Sequence, residues 1–157
     1  MKESLFEQSA RTPLIINVPG TSKGNSSKNI VELIDVYPTL AELCGLNAPK
    51  DLDGKSLLPI LKNPNASFSH VAYTQIDKRA FPGKFDTTTR AAFGRSVRTE
   101  RWRYTEWDEG RAGIELYDYV NDPKEYNNLA GNATYSATEK ELAALLRKSY
   151  KTQLNKN

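Results

Sequence analysis

Pro13-Leu14-Ile15-Ile16-Asn17-Val18-Pro19-Gly20 is the stretch on which the reading of this chain turns. Residues 14–18 form a short, nearly continuous apolar run closed by Pro-Gly. Such a run predicts a strand buried on both faces, as in a parallel sheet, because a strand open to water on one side alternates instead. One buried strand cannot satisfy its own backbone groups, so it calls for partners on either side. The other strands predicted from this sequence are of a different kind. The run therefore implies a larger sheet, and the sequence reads as the C-terminal part of something bigger.

Upstream, Lys2 to Ala10 is polar. Downstream, Thr21 to Asn29 is a Ser/Asn/Lys/Gly loop. A helix is predicted next, with Asp35 as N-cap, Pro38 in the first turn and Gly45 as the stop. Its apolar residues Val36, Leu40, Leu43 and Cys44 fall on one helical face, which predicts that Cys44 is a small buried hydrophobe. A turn at 50–55 and a short helical turn at 56–61 lead to Asn63-Pro64-Asn65, where a boundary is placed. Beyond it the pattern changes. Residues 71–76, 93–99, 101–107 and 113–118 are strand-like, and the middle two read as a tight hairpin. Ser136 and Glu139 have capping-box spacing, and Leu142, Leu145, Leu146, Tyr150 and Leu154 form an apolar stripe behind them.

Composition sets limits. Of the 157 residues, 38% are hydrophobic and 26% charged, which excludes a fully disordered or collagenous chain. No apolar run approaches the ~20 residues of a membrane span, and the N-terminus lacks the charged-then-apolar pattern of a signal peptide. A single cysteine excludes an internal disulfide framework and a cysteine-based zinc cluster. The single histidine, His70, leaves little for a Ser-His-Asp triad; it reads as structural or solvent-facing. The net charge of +3 is concentrated late. Between 78 and 103, Lys78, Arg79, Lys84, Arg90, Arg95, Arg98, Arg101 and Arg103 are opposed only by Asp86 and Glu100. That excess favours an anionic partner unless it is simply a solvated strand face.

Several motifs, taken together, resemble the type I sulfatases. Lys2-Glu3-Ser4-Leu5-Phe6-Glu7-Gln8-Ser9-Ala10-Arg11-Thr12-Pro13-Leu14-Ile15-Ile16 is similar to a stretch of those enzymes that begins Gly-Lys and continues to Arg-x-Pro-Leu-Ile. Val31-Glu32-Leu33-Ile34-Asp35-Val36-Tyr37-Pro38-Thr39-Leu40 with Gly45-Leu46 resembles one of their helices. Asp53-Gly54-Lys55-Ser56-Leu57-Leu58-Pro59 resembles one of their turns. Arg98-Thr99-Glu100-Arg101-Trp102-Arg103-Tyr104, Glu115-Leu116-Tyr117-Asp118, Asn121-Asp122-Pro123-Lys124-Glu125 and Asn128-Leu129-Ala130 complete the series to about residue 130. Tyr73-Thr74-Gln75 and the residues from Ser96 to Trp107 look most like the iduronate-2-sulfatase-like branch.

The resemblance implies an α/β fold: the C-terminal fragment of an alkaline-phosphatase-like sulfatase core, residues 1–62, plus a small α+β subdomain of antiparallel sheet and C-terminal helix, residues 63–157. It explains the orphan strand as part of the core sheet. It implies hydrolysis of a sulfate ester, of a glycan or small molecule, by a formylglycine made from Cys or Ser in C/S-x-P-x-R. A calcium ion in the complete enzyme would polarise the sulfate. Neither Cys44 nor any serine here fits that motif, and no metal ligand of the family is matched, so no calcium is expected on this chain alone. Of the catalytic set only Lys2 matches, at a contact to the sulfate; in isolation it reads as a frayed terminal lysine. Gln75, Arg79 and Arg98, with Lys78 and Arg95, are the candidates for a substrate-facing rim, since Arg suits bidentate recognition of carboxylate or sulfate.

On the hairpin, alternation puts Trp102 and Tyr104 on one face, expected against the helix at 139–154. It leaves Arg98 and Arg103 on an open face for substrate, with nearby carboxylates as the alternative. The complete enzyme would be periplasmic, extracellular or lysosomal. Its expected partner is a sulfated glycan or small sulfate ester, with no nucleic acid and no membrane. The competing reading is a non-catalytic module binding anionic polysaccharide or nucleic acid through the basic stretch and Phe81, Phe85, Phe93, Trp102 and Tyr104. Three Asn-x-Ser/Thr sequons, at Asn25, Asn65 and Asn132, lie in predicted loops.

Overall fold

The computed structural model describes residues 4–21, 24–68, 70–78 and 93–154, with side chains to residue 149. Two compact units result. One joins residues 1–12 to 73–157 and the other comprises residues 13–72. The element order is α1 (Glu7–Ala10), a 3-10 turn (Leu33–Asp35), α2 (Val36–Leu43), α3 (Leu58–Lys62), β1 (Ala72–Asp77), β2 (Phe93–Arg98), β3 (Trp102–Trp107), β4 (Ile114–Asp118), a second 3-10 turn (Ala133–Tyr135) and α4 (Ser136–Leu154).

The unit containing residues 73–157 is built on a four-stranded sheet in the order β1-β2-β3-β4. The predicted hairpin is present: β2 and β3 pair antiparallel, with Val97 opposite Tyr104, and β4 continues the pattern with Leu116 opposite Tyr104. Alternation sends Val97, Tyr104 and Leu116 to one face, where all three are buried. The helix α4 covers that face with Leu142, Ala143 and Leu146, also buried. Trp102 meets Tyr135 edge-on at 5.7 Å, a contact with the 3-10 turn and not with the helix at 139–154 against which it was expected. The helix is also held by charge. Glu106 accepts from Tyr104 Oη at 3.0 Å and from Arg147 at 2.7 Å. Burial, then the Glu106 charge beside it, pushes the Tyr104 phenol well above its ordinary value, so it stays a donor. The capping-box expectation at Ser136 is modified. Glu139 reaches back to the Gly131 N–H, and Asn132 caps the preceding turn by accepting from Thr134 N–H.

The opposite face is not open, contrary to the sequence expectation. Arg98, Arg103 and Tyr117 lie in one cross-strand row on it. The N-terminal segment crosses this face. Leu5 is buried beside Gly94 and Trp107, and a Cβ at Gly94 would lie 2.7 Å from both side chains. Glycine at 94 is thus what lets Leu5 seat, a burial that contributes about 1.5–3 kcal/mol. Phe6 meets Tyr117 edge-on at 5.9 Å.

The unit of residues 13–72 departs further from expectation. Residues 14–18 belong to no strand. Leu14, Ile16 and Val18 are half-buried while Ile15 is 91% exposed. The helix does form and ends as predicted: Gly45, at φ +67°, lets Leu46 N–H bond to Ala41 O and Gly45 N–H to Glu42 O. Its buried side is different from the one expected. Pro38, Thr39 and Ala41 are buried, whereas Leu40 is 52% exposed and Cys44 is exposed. The polar Asp35 and Thr39 outrank the apolar stripe because they hold the 53–57 turn against the helix. Asp35 is not a side-chain N-cap of α2. Its carboxylate accepts instead from Glu32 N–H and from Lys55 N–H, both at 2.8 Å. Thr39 Oγ1 donates to Asp35 O and accepts from Leu57 N–H at 2.8 Å.

Gly54 lies where this turn meets Ile34: a Cβ there would sit 2.2 Å from the Ile34 carbonyl oxygen. Backbone cannot give way as a side-chain tip does. Gly54→Ala is therefore expected to destabilise the 13–72 unit by about 1–3 kcal/mol. Hydrogen exchange resolved by residue would show faster exchange at Lys55 and Leu57, with the β2–β3 ladder unchanged. Unaltered exchange at Lys55 would contradict the close packing.

Candidate functional site

The predicted site residues fall in different circumstances. Lys2 and Arg79 lie outside the described residues. Gln75 is exposed on β1. Arg98, at the end of β2, is engaged: its guanidinium lies 3.4 Å from the Tyr119 ring centroid, its Nε is 3.6 Å from Glu7 Oε2, and Nη1 donates to Thr99 O. Its side chain is 13% exposed. Gln75 and Arg98 sit on neighbouring strands, and none of the described hydrogen bonds or ion pairs joins them. Arg98 does contact the segment that follows Lys2 in sequence, through Glu7.

Arg103, expected on an open rim, is instead the most enclosed lysine or arginine of the described residues, with a side chain 2% exposed. Its Nη2 donates to Glu7 Oε2 at 2.5 Å, its Nε to Glu125 Oε1 at 2.6 Å and to Tyr119 Oη at 3.0 Å, and its Nη1 to Ser96 Oγ at 3.3 Å. Tyr119 Oη donates in turn to Glu125. Glu125 also accepts from Glu7 N–H at 2.7 Å, so one carboxylate holds both the backbone of α1 and the arginine beneath it. Glu125 adopts φ +58°, which a non-glycine residue takes only when surroundings hold it there. The network joins three stretches that are far apart in sequence: residues 4–10, the hairpin and the 119–125 turn.

The rest of the described basic stretch is likewise spent internally. Arg101 forms a two-point bridge to Asp118, at 3.0 and 2.7 Å. Lys78 lies 4.3 Å from the Trp107 ring centroid, and Arg95 lies 4.6 Å from that of Phe93. These contacts engage the described part of the stretch; Arg79, Lys84 and Arg90 lie outside the described residues.

His70 is half-buried as a residue, with its side chain 8% exposed and paired, consistent with a structural residue. Its Nε2 is 3.2 Å from Glu32 Oε2 and 3.4 Å from Asp35 Oδ2. Sequence reasoning saw no carboxylate partner, because these lie 35 and 38 residues away with no periodic signal to connect them. Glu7 and Glu125 had a signal, since both stand inside motif stretches, but nothing in those stretches said that they meet. Among the described residues no group of three or more His, Cys, Asp or Glu is placed to hold a metal ion. Glu7, Asp35 and Glu125 are committed to arginine or backbone N–H donors. Among the described residues the arrangement offers positioning and charge compensation.

Two outcomes are expected. Arg103→Met removes the cation between the Glu7 and Glu125 carboxylates and leaves Glu7 only Arg98 and Arg11 beside it, which costs about 3–5 kcal/mol, and Arg103→Lys restores only part because it lacks the fork. Urea unfolding followed by Trp102 and Trp107 fluorescence measures both; a loss below ~1 kcal/mol for Arg103→Met would contradict the network. The second concerns acid. The Arg101 hydrogen bond, with help from Asn121 and Val120 N–H, holds the Asp118 carboxyl at about 2 against burial, which works the other way. A depressed carboxyl contributes stability above its unfolded value, near 3.9, that is lost as pH falls towards about 2. The stability difference between the wild type and Asp118→Asn should therefore shrink between pH 5 and pH 2; a difference independent of pH over that window would refute it.

Comparison with known proteins agrees over nearly the whole chain. Residues 1–152 match the family described as N-sulphoglucosamine sulphohydrolase, C-terminal. Human Arylsulfatase K is 31% identical over 147 residues, covering 88% of this chain and 26% of the relative. An N-acetylglucosamine-6-O-sulfatase of Bacteroides thetaiotaomicron is 31% identical over 154 residues, covering 96% of this chain and 26% of the relative. A structure solved in complex with its substrate D-glucosamine-2-N,6-O-disulfate superposes with a TM-score of 0.58 at 28% identity, covering 74% of this chain and 23% of that one. The chain thus spans about a quarter of the length of the curated relatives it matches.

Proposed function

The chain belongs to the N-sulphoglucosamine sulphohydrolase C-terminal family, with the α/β architecture of the alkaline-phosphatase-like sulfatases, and from that premise we propose that it is the C-terminal portion of a sulfuric ester hydrolase acting on a sulfated glycan. The observation that carries the proposal is the meeting of motifs. Glu7, Arg103 and Glu125 come from three of the stretches that resemble sulfatases, and they form one buried network. Asp35, Thr39, Gly54 and Lys55 come from two more, and they form the other. The names of the relatives favour a sulfated amino sugar as substrate. The residues from Ser96 to Trp107 favour instead the iduronate-2-sulfatase-like branch, whose sugar is a uronic acid and not an amino sugar.

In this reading Lys2 contacts the sulfate, where an ammonium neutralises charge that develops on the oxygens. Gln75, Arg79 and Arg98 face the substrate. Arg98 is already engaged by Glu7 and Tyr119, so a substrate anion there competes with Glu7. Calcium would polarise the sulfate in the complete enzyme. The described carboxylates of this chain do not fit such an ion, and we place its ligands, like the nucleophile, in the part of the enzyme that this chain does not span. Such an enzyme would work in the periplasm, outside the cell or in a lysosome. The reading of a stand-alone polyanion-binding module is disfavoured by the internal pairing of Arg101 and Arg103.

The chain by itself is expected to show no turnover of an aryl sulfate in the presence of calcium, because cooperating catalytic groups act as a set. The reading is tested by joining it to the upstream three quarters of the Bacteroides relative, in place of that enzyme's own C-terminal quarter. Release of sulfate from glucosamine 6-sulfate by the chimera, reduced at least ~100-fold by Lys2→Ala, supports the proposal. A folded chimera whose turnover is indifferent to Lys2→Ala refutes the role of Lys2, and one without turnover refutes the assignment.

A further inference from the structure

The segment that crosses the sheet is held from outside itself. α1 has four residues, too few for a helix to persist alone, and its N-cap, Phe6, makes no side-chain capping bond. Leu5 is buried against Gly94 and Trp107, and the Phe6 ring meets Tyr117. Glu125 Oε2 accepts from the Glu7 N–H at 2.7 Å, and Arg103 takes the Glu7 carboxylate. Glu125 does this in costly circumstances. Its side chain is 3% exposed, the guanidinium it pairs with is 2% exposed, and its backbone sits at φ +58°. A buried ion pair is often no more stabilising than well-packed hydrocarbon of the same volume, and a left-handed glutamate adds strain. Fold stability therefore does not account for the arrangement. What it delivers is a fixed path for residues 4–10. Lys2 stands three positions ahead of Leu5 in the sequence, a span of at most roughly 11 Å of chain.

We propose that Glu125 is a positioning residue for Lys2. By gripping the Glu7 N–H and, through Arg103, the Glu7 carboxylate, it fixes the anchor from which the Lys2 ammonium reaches the sulfate. This deepens the functional reading above and rests on it, since there Lys2 is the group that meets the sulfate. The two oxygens of Glu125 make the role specific. Oε2 accepts from the Glu7 N–H, and Oε1 from Arg103 Nε and Tyr119 Oη, so all of these contacts need an acceptor. A glutamine of the same shape has one acceptor and one donor. Turned to satisfy Arg103 and Tyr119, it points its own N–H at the Glu7 N–H and releases α1.

The test is a double-mutant cycle in the chimera described above, with glucosamine 6-sulfate as substrate. Glu125→Gln should lower kcat at least ~10-fold and move KM less than ~3-fold, since a misplacement of about 1 Å suffices for such a loss. In a Lys2→Ala background the same change should cost less than ~2-fold, because a group that acts through Lys2 has nothing left to position. Leu5→Ala unseats the segment without altering a charge. It should follow the same pattern, and it carries the test if Glu125→Gln does not fold. Leu146→Ala, in the core on the other face of the sheet, should lower the unfolding midpoint and leave kcat in place. Equal losses with and without Lys2 overturn the proposal, as does a matching kcat loss in Leu146→Ala. A folded chimera whose kcat neither Glu125→Gln nor Leu5→Ala changes overturns it too. A readout without turnover separates this proposal from the enzymatic reading: acetylation of Lys2 by acetic anhydride, followed by the mass of its peptide. Inorganic sulfate should slow acetylation in the parent chimera, and Glu125→Gln should remove most of that protection. Such a loss of protection in a chimera without turnover would keep the positioning role and count against the enzymatic reading alone. Protection equal in both chimeras, or absent from both, overturns the proposal.

Discussion

An arginine under a sheet face is the constraint on which the larger unit depends. Arg103 points from the middle of the hairpin into a space closed by Glu7, Glu125 and Tyr119. Taking a guanidinium out of water costs several kcal/mol, and it is offset only if each of its donors finds an acceptor. Glu7 and Glu125 supply the charge, and Tyr119 and Ser96 complete the geometry. The requirement then propagates. Glu7 reaches Arg103 only if residues 4–10 cross the sheet, which buries Leu5. Glu125 reaches it only from the 119–125 turn with its backbone at positive φ. A buried polar network of this kind specifies one arrangement, since partial satisfaction costs more than none.

The smaller unit repeats the principle with different chemistry. Asp35 is fully buried, and its two oxygens receive the N–H groups of Glu32 and Lys55 with His70 alongside. Thr39, one turn later, relays a hydrogen bond from Leu57 N–H. The helix therefore faces inwards with its polar side because the turn it must hold offers backbone donors, not hydrocarbon. Its apolar side is left facing outwards.

Both networks bear on function in the same way. They orient backbone segments and consume charge internally; they do not present a nucleophile. Arg98 stands between the two possibilities, since it lies beside the segment that follows Lys2 and is partly satisfied by Glu7 and Tyr119. The first network holds residues 4–10 in place on the sheet.

The sequence by itself determined the local elements and the kinship. The hairpin, β4, α4 and the Gly45 stop follow from alternation, helical period and glycine chemistry, which act over a few residues and can be read from a few residues. The order of the motifs marked the family for the same reason. Only the tertiary structure decided where Arg103, Cys44, Leu40 and His70 would sit. Alternation places Arg103 on a face, but whether that face meets water depends on residues 4–10, more than 90 positions away. Helical period aligns Val36, Leu40 and Cys44, but which side turns inwards was decided by the Lys55 and Leu57 N–H groups, which no local pattern near the helix reveals. The run at 14–18 shows the division most plainly: its composition is that of a doubly buried strand, and a ladder is a property of neighbours, which no run of residues contains.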